Sequence, residues 1–210
     1  MALSDATPRS GLTARVVQLI AGLVLFGASL ALLVRSELGL DPWDVFHQGF
    51  SVATGLSIGL CTIAVGVVVL LLWIPLRQRP GIGTVANVVL VGLSLDGVLL
   101  LIPPTDHLVL RWTYLIAGIV LNGIATGAYI GAGLGPGPRD GLMVGLARGG
   151  RSLRVVRTAI EVSVLVVGWL LGGTVGIGTV LFALTIGPIV HRTVPAFSRD
   201  PAQADPGAPD

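Results

Sequence analysis

The chain has 210 residues, of which 53% are hydrophobic and only 11% are charged, and its mean hydropathy is +0.89. Soluble domains carry about 25% charged residues, so this composition excludes a soluble domain, and it also excludes disorder except at the ends. A single cysteine excludes a disulfide scaffold, and a net charge of only +2, spread over short loops, excludes nucleic acid as the expected partner.

Six apolar stretches are long enough, or nearly so, to cross a hydrocarbon core as helices, which takes about 20 residues. In chain order they are residues 16–34, 57–76, 82–102, 112–134, 155–171 and 177–194. The end segments, residues 1–14 and 196–210, are polar and contain proline and glycine, which predicts disordered termini. The sequence therefore predicts an all-α membrane bundle of about six transmembrane helices.

Arginine supplies all 13 basic residues and indicates the orientation of the bundle. With six crossings and a cytoplasmic N-terminus, eleven arginines lie on the cytoplasmic side and only Arg35 and Arg111 lie outside. Such an excess is the positive-inside pattern of membrane proteins. We therefore expect both termini in the cytoplasm.

The chain repeats itself in two halves. At a shift of 95 residues the block Gly81–Val85 recurs identically as Gly176–Val180, and other matches at a shift of 96 are Leu38, Gly39, Pro42, Asp44 and Gly49 with Leu134, Gly135, Pro138, Asp140 and Gly145. Each half, residues 15–103 and 111–195 around an external linker 104–110, then holds three crossings. Because three is odd, the halves enter the membrane from opposite sides, which predicts a 3+3 inverted repeat typical of secondary transporters. The alternative is a duplicated bundle without transport.

Each half also carries a polar segment, at residues 38–49 and 134–145, that interrupts the apolar pattern. The residues that break the helices there are Gly39, Pro42, Gly135, Pro136 and Pro138. A short helix follows each break and has Asp44 or Asp140 near its start, where a carboxylate caps free backbone N–H groups. These helices are either interfacial or re-entrant, dipping towards the midplane from opposite faces, and the second arrangement marks a transporter site.

On the re-entrant interpretation, the two segments contain the substrate or ion pathway. Arg139 is then a ligand for an anion or a carboxylate, because guanidinium presents a planar bidentate fork. Asp44 and Asp140 organise the segments, and Trp43 takes the place of Arg139 in the first half. We expect His47 to be a polar residue at the membrane interface.

Two further carboxylates are candidates for the pathway, because ionisable groups inside membranes are generally functional. Glu161 lies in the fifth stretch, and its alternative role is a contact with Arg157, four residues earlier on the helix. Asp96 lies near the end of the third stretch, where interfacial solvation is the alternative.

Several of these motifs together resemble a known family. They are Gly135–Met143, Arg157–Glu161, the two blocks of sequence GIGTV and Asp41–Asp44. They are similar to the YczE-type bacterial membrane proteins, which are grouped loosely with the YitT-type proteins, and the resemblance covers about residues 15–197. It implies an integral protein of the bacterial cytoplasmic membrane without an established substrate, and it adds no catalytic or binding residue.

The pattern as a whole favours a transporter or facilitator of a small solute, with an anion as one candidate. The alternative is a non-transporting protein that docks a cytoplasmic partner or anionic lipid through a basic loop, although such a loop also serves as a plain topology signal. That loop contains Arg148, Arg151, Arg154 and Arg157. We expect no enzyme activity, cofactor or metal, because no nucleophile–base pair or ligand cluster is visible. A homodimer is left open.

Overall fold

The computed structural model describes residues 11–148 and 150–199, and these residues form eight α-helices and no strand. The helices are α1 Leu12–Ser36, α2 Pro42–Thr54, α3 Ile58–Trp73, α4 Ile82–Leu101, α5 Leu108–Gly131, α6 Pro138–Ala147, α7 Leu153–Leu170 and α8 Ile177–Phe197. The all-α prediction is confirmed, with a helix in each predicted stretch and a short helix, α2 or α6, at each polar segment.

Four helices, α1, α4, α5 and α8, are long and apolar enough to cross a membrane, and α2 and α3 pass the same test together as a pair bent by 113°. The chain is thus a multi-pass membrane protein with four or five candidate spans. The predicted fifth stretch became α7, which carries three charged side chains, Arg154, Arg157 and Glu161. Six crossings remain a prediction.

The predicted disordered ends differ from the structure at their inner boundaries. Helix α1 begins at Leu12, so part of the segment 1–14 is helical, and α8 continues to Phe197. The remaining parts of both predictions, residues 1–10 and 200–210, lie outside the described residues.

The two halves have the same order of helices: long, short, intermediate and long. A backbone hydrogen bond between the two halves also occurs twice, with the donor in the first half in one case and in the second half in the other. The N–H of Gly83 donates to the carbonyl of Leu134 at 2.9 Å, and the N–H of Gly178 donates to the carbonyl of Leu38 at 2.7 Å. The repeat shifts of 96 and 95 residues relate one contact to the other, so the repeated blocks hold the halves together reciprocally.

The core lies where α1 and α5 pack side by side, with α4 against α1 and α8 against α5. Small residues permit the close approach, as is usual in membranes. A Cβ at Gly22 would lie 2.8 Å from the backbone nitrogen of Tyr129, and one at Gly118 would lie 2.8 Å from the side chain of Leu33. These two contacts are again equivalent, which makes the α1–α5 pair the centre of the bundle.

The short helices pack across the halves: α2 lies against α7, and α6 lies against α3. Gly168 of α7 meets the backbone at Phe46 of α2, and Gly141 of α6 meets the ring of Trp73 of α3. The indole N–H of Trp73 also donates to the carbonyl of Pro138 at 3.0 Å. The start of each short helix is therefore positioned by the opposite half.

The halves differ in one helix pair. Helix α3 packs on α4, whereas α7 and α8 make no comparable contact within the described residues. A Cβ at Gly92 on α4 would lie 2.5 Å from the carbonyl oxygen of Gly59 on α3, but one at the equivalent Gly187 on α8 would meet nothing within 4 Å. Arg154 stands on α7 in the place of Gly59. The charged face of α7 therefore borders an open gap.

This difference predicts opposite outcomes for one substitution at two equivalent sites. Gly92→Ala is expected to destabilise the protein by about 1–3 kcal/mol, because the new methyl group overpacks the α3–α4 contact. Gly187→Ala, the matched control, should leave stability unchanged or slightly higher, since alanine favours a helix over glycine by about 1 kcal/mol. Thermal unfolding of both purified variants measures this, and equal midpoints would contradict the asymmetric packing.

Candidate functional site

A cavity of about 610 Å³ lies inside the bundle, and every one of the eight helices contributes to its lining. Its volume is in the range of sites for small ligands, about 300–1,000 Å³. The starts of α2 and α6 form one wall, with Trp43 and His47 from α2 and Arg139 and Asp140 from α6. The structure thus brings residues of both polar segments to a single cavity.

The breaks before the two short helices are built around glycines with left-handed backbones. Gly39 has φ +116° and Gly135 has φ +129°, a region that glycine tolerates best. Both also sit against the opposite half: a Cβ at Gly39 would lie 2.6 Å from the nitrogen of Gly176, and one at Gly135 would lie 2.8 Å from the Thr84 hydroxyl. These predicted helix-breaking residues therefore fix how the chain enters the site.

Helix α2 begins with a side-chain cap. The carboxylate of Asp41 accepts a hydrogen bond from the N–H of Asp44 at 2.8 Å, and Pro42 occupies the first helical position, where its missing N–H costs nothing. One turn further, His47 Nδ1 lies 3.0 Å from Asp44 Oδ1. Asp44 and His47 are each only 2% exposed, so His47 is buried in the protein beside Asp44, and its position at the membrane interface stays a prediction.

Arg139 crosses from α6 to this group. Its guanidinium lies 3.4 Å from Asp44 Oδ1 and 3.8 Å from Asp41 Oδ2, and 3.5 Å from His47 Nδ1. The guanidinium carbon stands 5.2 Å above the ring of Trp43, in range for a cation–π contact. The predicted anion ligand is thus engaged by two carboxylates and an aromatic face of the first half.

Two buried polar atoms of the described site have no hydrogen-bond partner: Asp44 Oδ2 and Trp43 Nε1. Trp43 lines the cavity and is 7% exposed. Buried polar groups are normally satisfied, so the indole donor of Trp43, which is in the cavity lining, remains for a bound molecule or water.

Two carboxyls at the starts of the short helices, Asp41 before α2 and Asp140 in the first turn of α6, lie outside the candidate spans and have shifted pKa values. Burial, and secondarily the charge of Asp44, raises the pKa of Asp41 to about 7, although Arg139 opposes the shift. Burial likewise raises the pKa of Asp140, against the charges of Arg157 and Arg139. Asp41 therefore exchanges a proton near neutral pH.

The other two candidate carboxylates differ in position, because one lines the cavity and the other does not. Glu161 lines the cavity and also forms the ion pair with Arg157, at 2.9 Å, so both interpretations of that residue apply. Asp96 does not line the cavity. It accepts hydrogen bonds from the Ser57 hydroxyl at 2.5 Å and the Gly59 N–H at 2.8 Å, which caps the start of α3.

The predicted basic loop is only partly a loop, because Arg154 and Arg157 lie in the first turns of α7. Arg148 reaches the carbonyl of Arg77 at 3.5 Å, and Arg151 and Arg154 are exposed. Only Arg157, which is also exposed, contributes to the cavity lining.

The sequence analysis missed Asp41 and His47 as site residues. The available signal was their spacing, since Asp41, Asp44 and His47 recur every three residues and so share one face of a helix that starts at Pro42. Among the described residues, no group of three His, Cys, Asp or Glu side chains is placed to hold a metal ion.

Known proteins that match the chain are themselves uncharacterized. The model of a family of unknown function, DUF6198, matches residues 13–194. An uncharacterized protein of Haemophilus influenzae is 40% identical over 184 residues, which cover 87% of this chain and 84% of that protein. The uncharacterized membrane protein YczE of Bacillus subtilis is 33% identical over 178 residues, 83% of each chain. These matches confirm the resemblance to YczE-type proteins, and no solved structure matches.

Proposed function

Because the chain belongs to the DUF6198 family of unknown function, and because a buried charged group lies in its cavity, we propose that it carries a small solute across the bacterial cytoplasmic membrane. The observation that carries this proposal is the meeting of α2 and α6. These equivalent short helices come from different halves, and their starts bring Arg139 to Asp41 and Asp44 beside one cavity. Broken helices of this kind are the usual substrate sites of secondary transporters.

The proposed architecture is a 3+3 inverted repeat, residues 15–103 and 111–195, with both termini in the cytoplasm. The reciprocal hydrogen bonds of Gly83 and Gly178 support it. So does the arrangement of the charged residues, because polar backbone and ion pairs inside a membrane are tolerated where they are buried in protein or line a cavity.

The difference between the halves supports alternating access. In an inverted repeat, the halves exchange conformations when the cavity changes the side to which it opens. Here α3 is closed on α4 while α7 stands apart from α8, as expected of one end state. The other end state then has α7 closed on α8 and α3 apart from α4.

Access from both sides tests the proposal without a known solute. In a Cys61→Ala background, Ala183→Cys places a thiol in the cavity lining. A transporter exposes this thiol in turn to each side, so an impermeant maleimide should label it in both right-side-out and inverted vesicles. Labelling from one side only would overturn transport by alternating access. Asp106→Cys, in the exposed loop before α5, is the control that should react from one side.

The inverted repeat has a matched test of its own. Leu56 and Arg151 are equivalent at a shift of 95 and are both exposed, between the short helix and the next helix of each half. Leu56→Cys should react only from outside, and Arg151→Cys only from the cytoplasm, with a labelling difference of at least about tenfold. Reaction of both from the same side would contradict opposite insertion of the halves.

The competing function is docking of a cytoplasmic partner, which the exposed Arg151 and Arg154 favour. If docking is the function, the double variant Arg151→Gln/Arg154→Gln should no longer bind one dominant soluble partner. The Ala183→Cys thiol should then react from at most one side. The same two-sided labelling experiment therefore separates the two functions.

A further inference from the structure

We propose that the cavity binds an organic cation rather than an anion. This inference rests on the proposed function and specifies the class of solute. The sequence suggested the opposite because Arg139 is the most conspicuous charge of the two polar segments. The structure surrounds that arginine with carboxylates, and the balance of charge at the cavity wall decides the class of ligand.

The inner wall holds more carboxyl groups than guanidinium groups. Asp41 and Asp44 lie within 4 Å of the guanidinium of Arg139, and Asp140, the next residue of α6, lines the same cavity. The outer pair of Glu161 and Arg157 neutralises itself at 2.9 Å. A buried surplus of carboxyl groups must be compensated by protons or by a cation. A positively charged ligand can replace those protons, whereas an anion would add to the surplus.

Arg139 itself is a poor anion site in this arrangement. Both of its carboxylate partners are within 4 Å, and Trp43 covers one face of the guanidinium at 5.2 Å. An anion placed on Arg139 would lie beside those carboxylates and be repelled by them. By contrast, Asp41 lines the cavity, and the neighbouring Asp44 Oδ2 is buried without a hydrogen-bond partner, so this end of the site has unused acceptor capacity.

The rest of the lining suits an organic cation rather than a bare ion. Aromatic rings of Phe26, Trp43, Tyr129 and Phe182 contribute to the cavity, and aromatic faces attract organic cations. The volume of about 610 Å³ is sufficient for a drug-sized molecule. No group of three ligating side chains is placed for a metal ion within the described residues.

The test compares two probes of nearly the same shape and opposite charge, tetraphenylphosphonium and tetraphenylborate. Equilibrium dialysis against the purified full-length protein in detergent, with protein-free micelles subtracted, should show saturable binding of the cation only. Asp44→Asn should weaken cation binding at least about tenfold. Asp106→Asn, which removes one exposed carboxylate from the loop before α5, is the matched control and should bind like the wild type.

The possible results are distinct. Saturable binding of tetraphenylborate, or of neither probe, by the wild-type protein overturns the cation site, and this comparison needs no variant that must fold. Equal cation binding by Asp44→Asn and wild type overturns the role of the carboxylates. If the protein binds the cation but Ala183→Cys is labelled from one side only, the cation site stands and the transport proposal is overturned. If Ala183→Cys is labelled from both sides but the cation does not bind, the transport proposal stands and the cation site is overturned.

Discussion

Arg139→Ala is expected to lower the stability of the protein sharply. The substitution leaves Asp41 and Asp44, which are 6% and 2% exposed, without their positive partner. Removing one member of a buried ion pair typically costs about 3–5 kcal/mol. The contacts at 3.4 and 3.8 Å are long, so we expect the lower value, about 3 kcal/mol, which lowers the midpoint of thermal unfolding by about 6–12 °C for a chain of this size.

The matched control is Arg157→Ala, which removes the same side chain from an exposed ion pair. Arg157 is 61% exposed in its pair with Glu161, and exposed pairs contribute about 0–1 kcal/mol. Its midpoint should therefore stay within about 4 °C of the wild type. Equal midpoints for Arg139→Ala and Arg157→Ala would contradict the buried ion pair.

Two further measurements separate charge from side-chain size. Asp44→Asn in the Arg139→Ala background should restore part of the lost stability, because it removes one of the unpaired charges. The loss should also depend on pH. The pKa of Asp41 is already raised to about 7 and rises further without the guanidinium, so the variant keeps this carboxyl neutral at pH 6 and loses less stability there. Its stability falls as the pH rises through that pKa, and the loss should be larger at pH 8.

This expectation changes what the sequence alone suggested for Arg139. The pattern of two polar segments identified the arginine, the two aspartates and the broken helices, because glycine, proline and charge inside apolar stretches are visible in one dimension. It did not show which half each side chain faces. Arg139 belongs to the second half but contacts Asp41 and Asp44 of the first, and only the crossed packing of the short helices makes that contact.

Other features followed from the sequence for clear reasons. The helices were predictable because apolar runs bounded by proline and arginine are strong signals. The role of Asp96 was not, because a cap on a helix 37 residues earlier, at Gly59, depends on the packing of α3 against α4. The same holds for the gap between α7 and α8. The repeat already aligned Gly59 with Arg154. That this difference opens a gap became clear only from the close α3–α4 contact that Gly59 permits.

The gap leads to the second large expected effect, a disulfide between α7 and α8. If α7 closes on α8 as α3 closes on α4, Arg154→Cys and Gly187→Cys take the places of Gly59 and Gly92, whose backbones are in contact. A disulfide needs Cα atoms about 4.4–6.8 Å apart. In a Cys61→Ala background, mild oxidation should cross-link most of the protein.

The control pair is Arg154→Cys with Leu184→Cys, because Leu184 is 68% exposed and does not line the cavity. That pair should cross-link at least about tenfold less, as measured by mass spectrometry of the intact oxidised chains. Any solute that the reduced Arg154→Cys/Gly187→Cys variant transports should stop moving after oxidation and move again after reduction. Absence of the cross-link, with both thiols reactive to maleimide, would mean that the gap is permanent, and a permanent gap is incompatible with alternating access by exchange of the two halves.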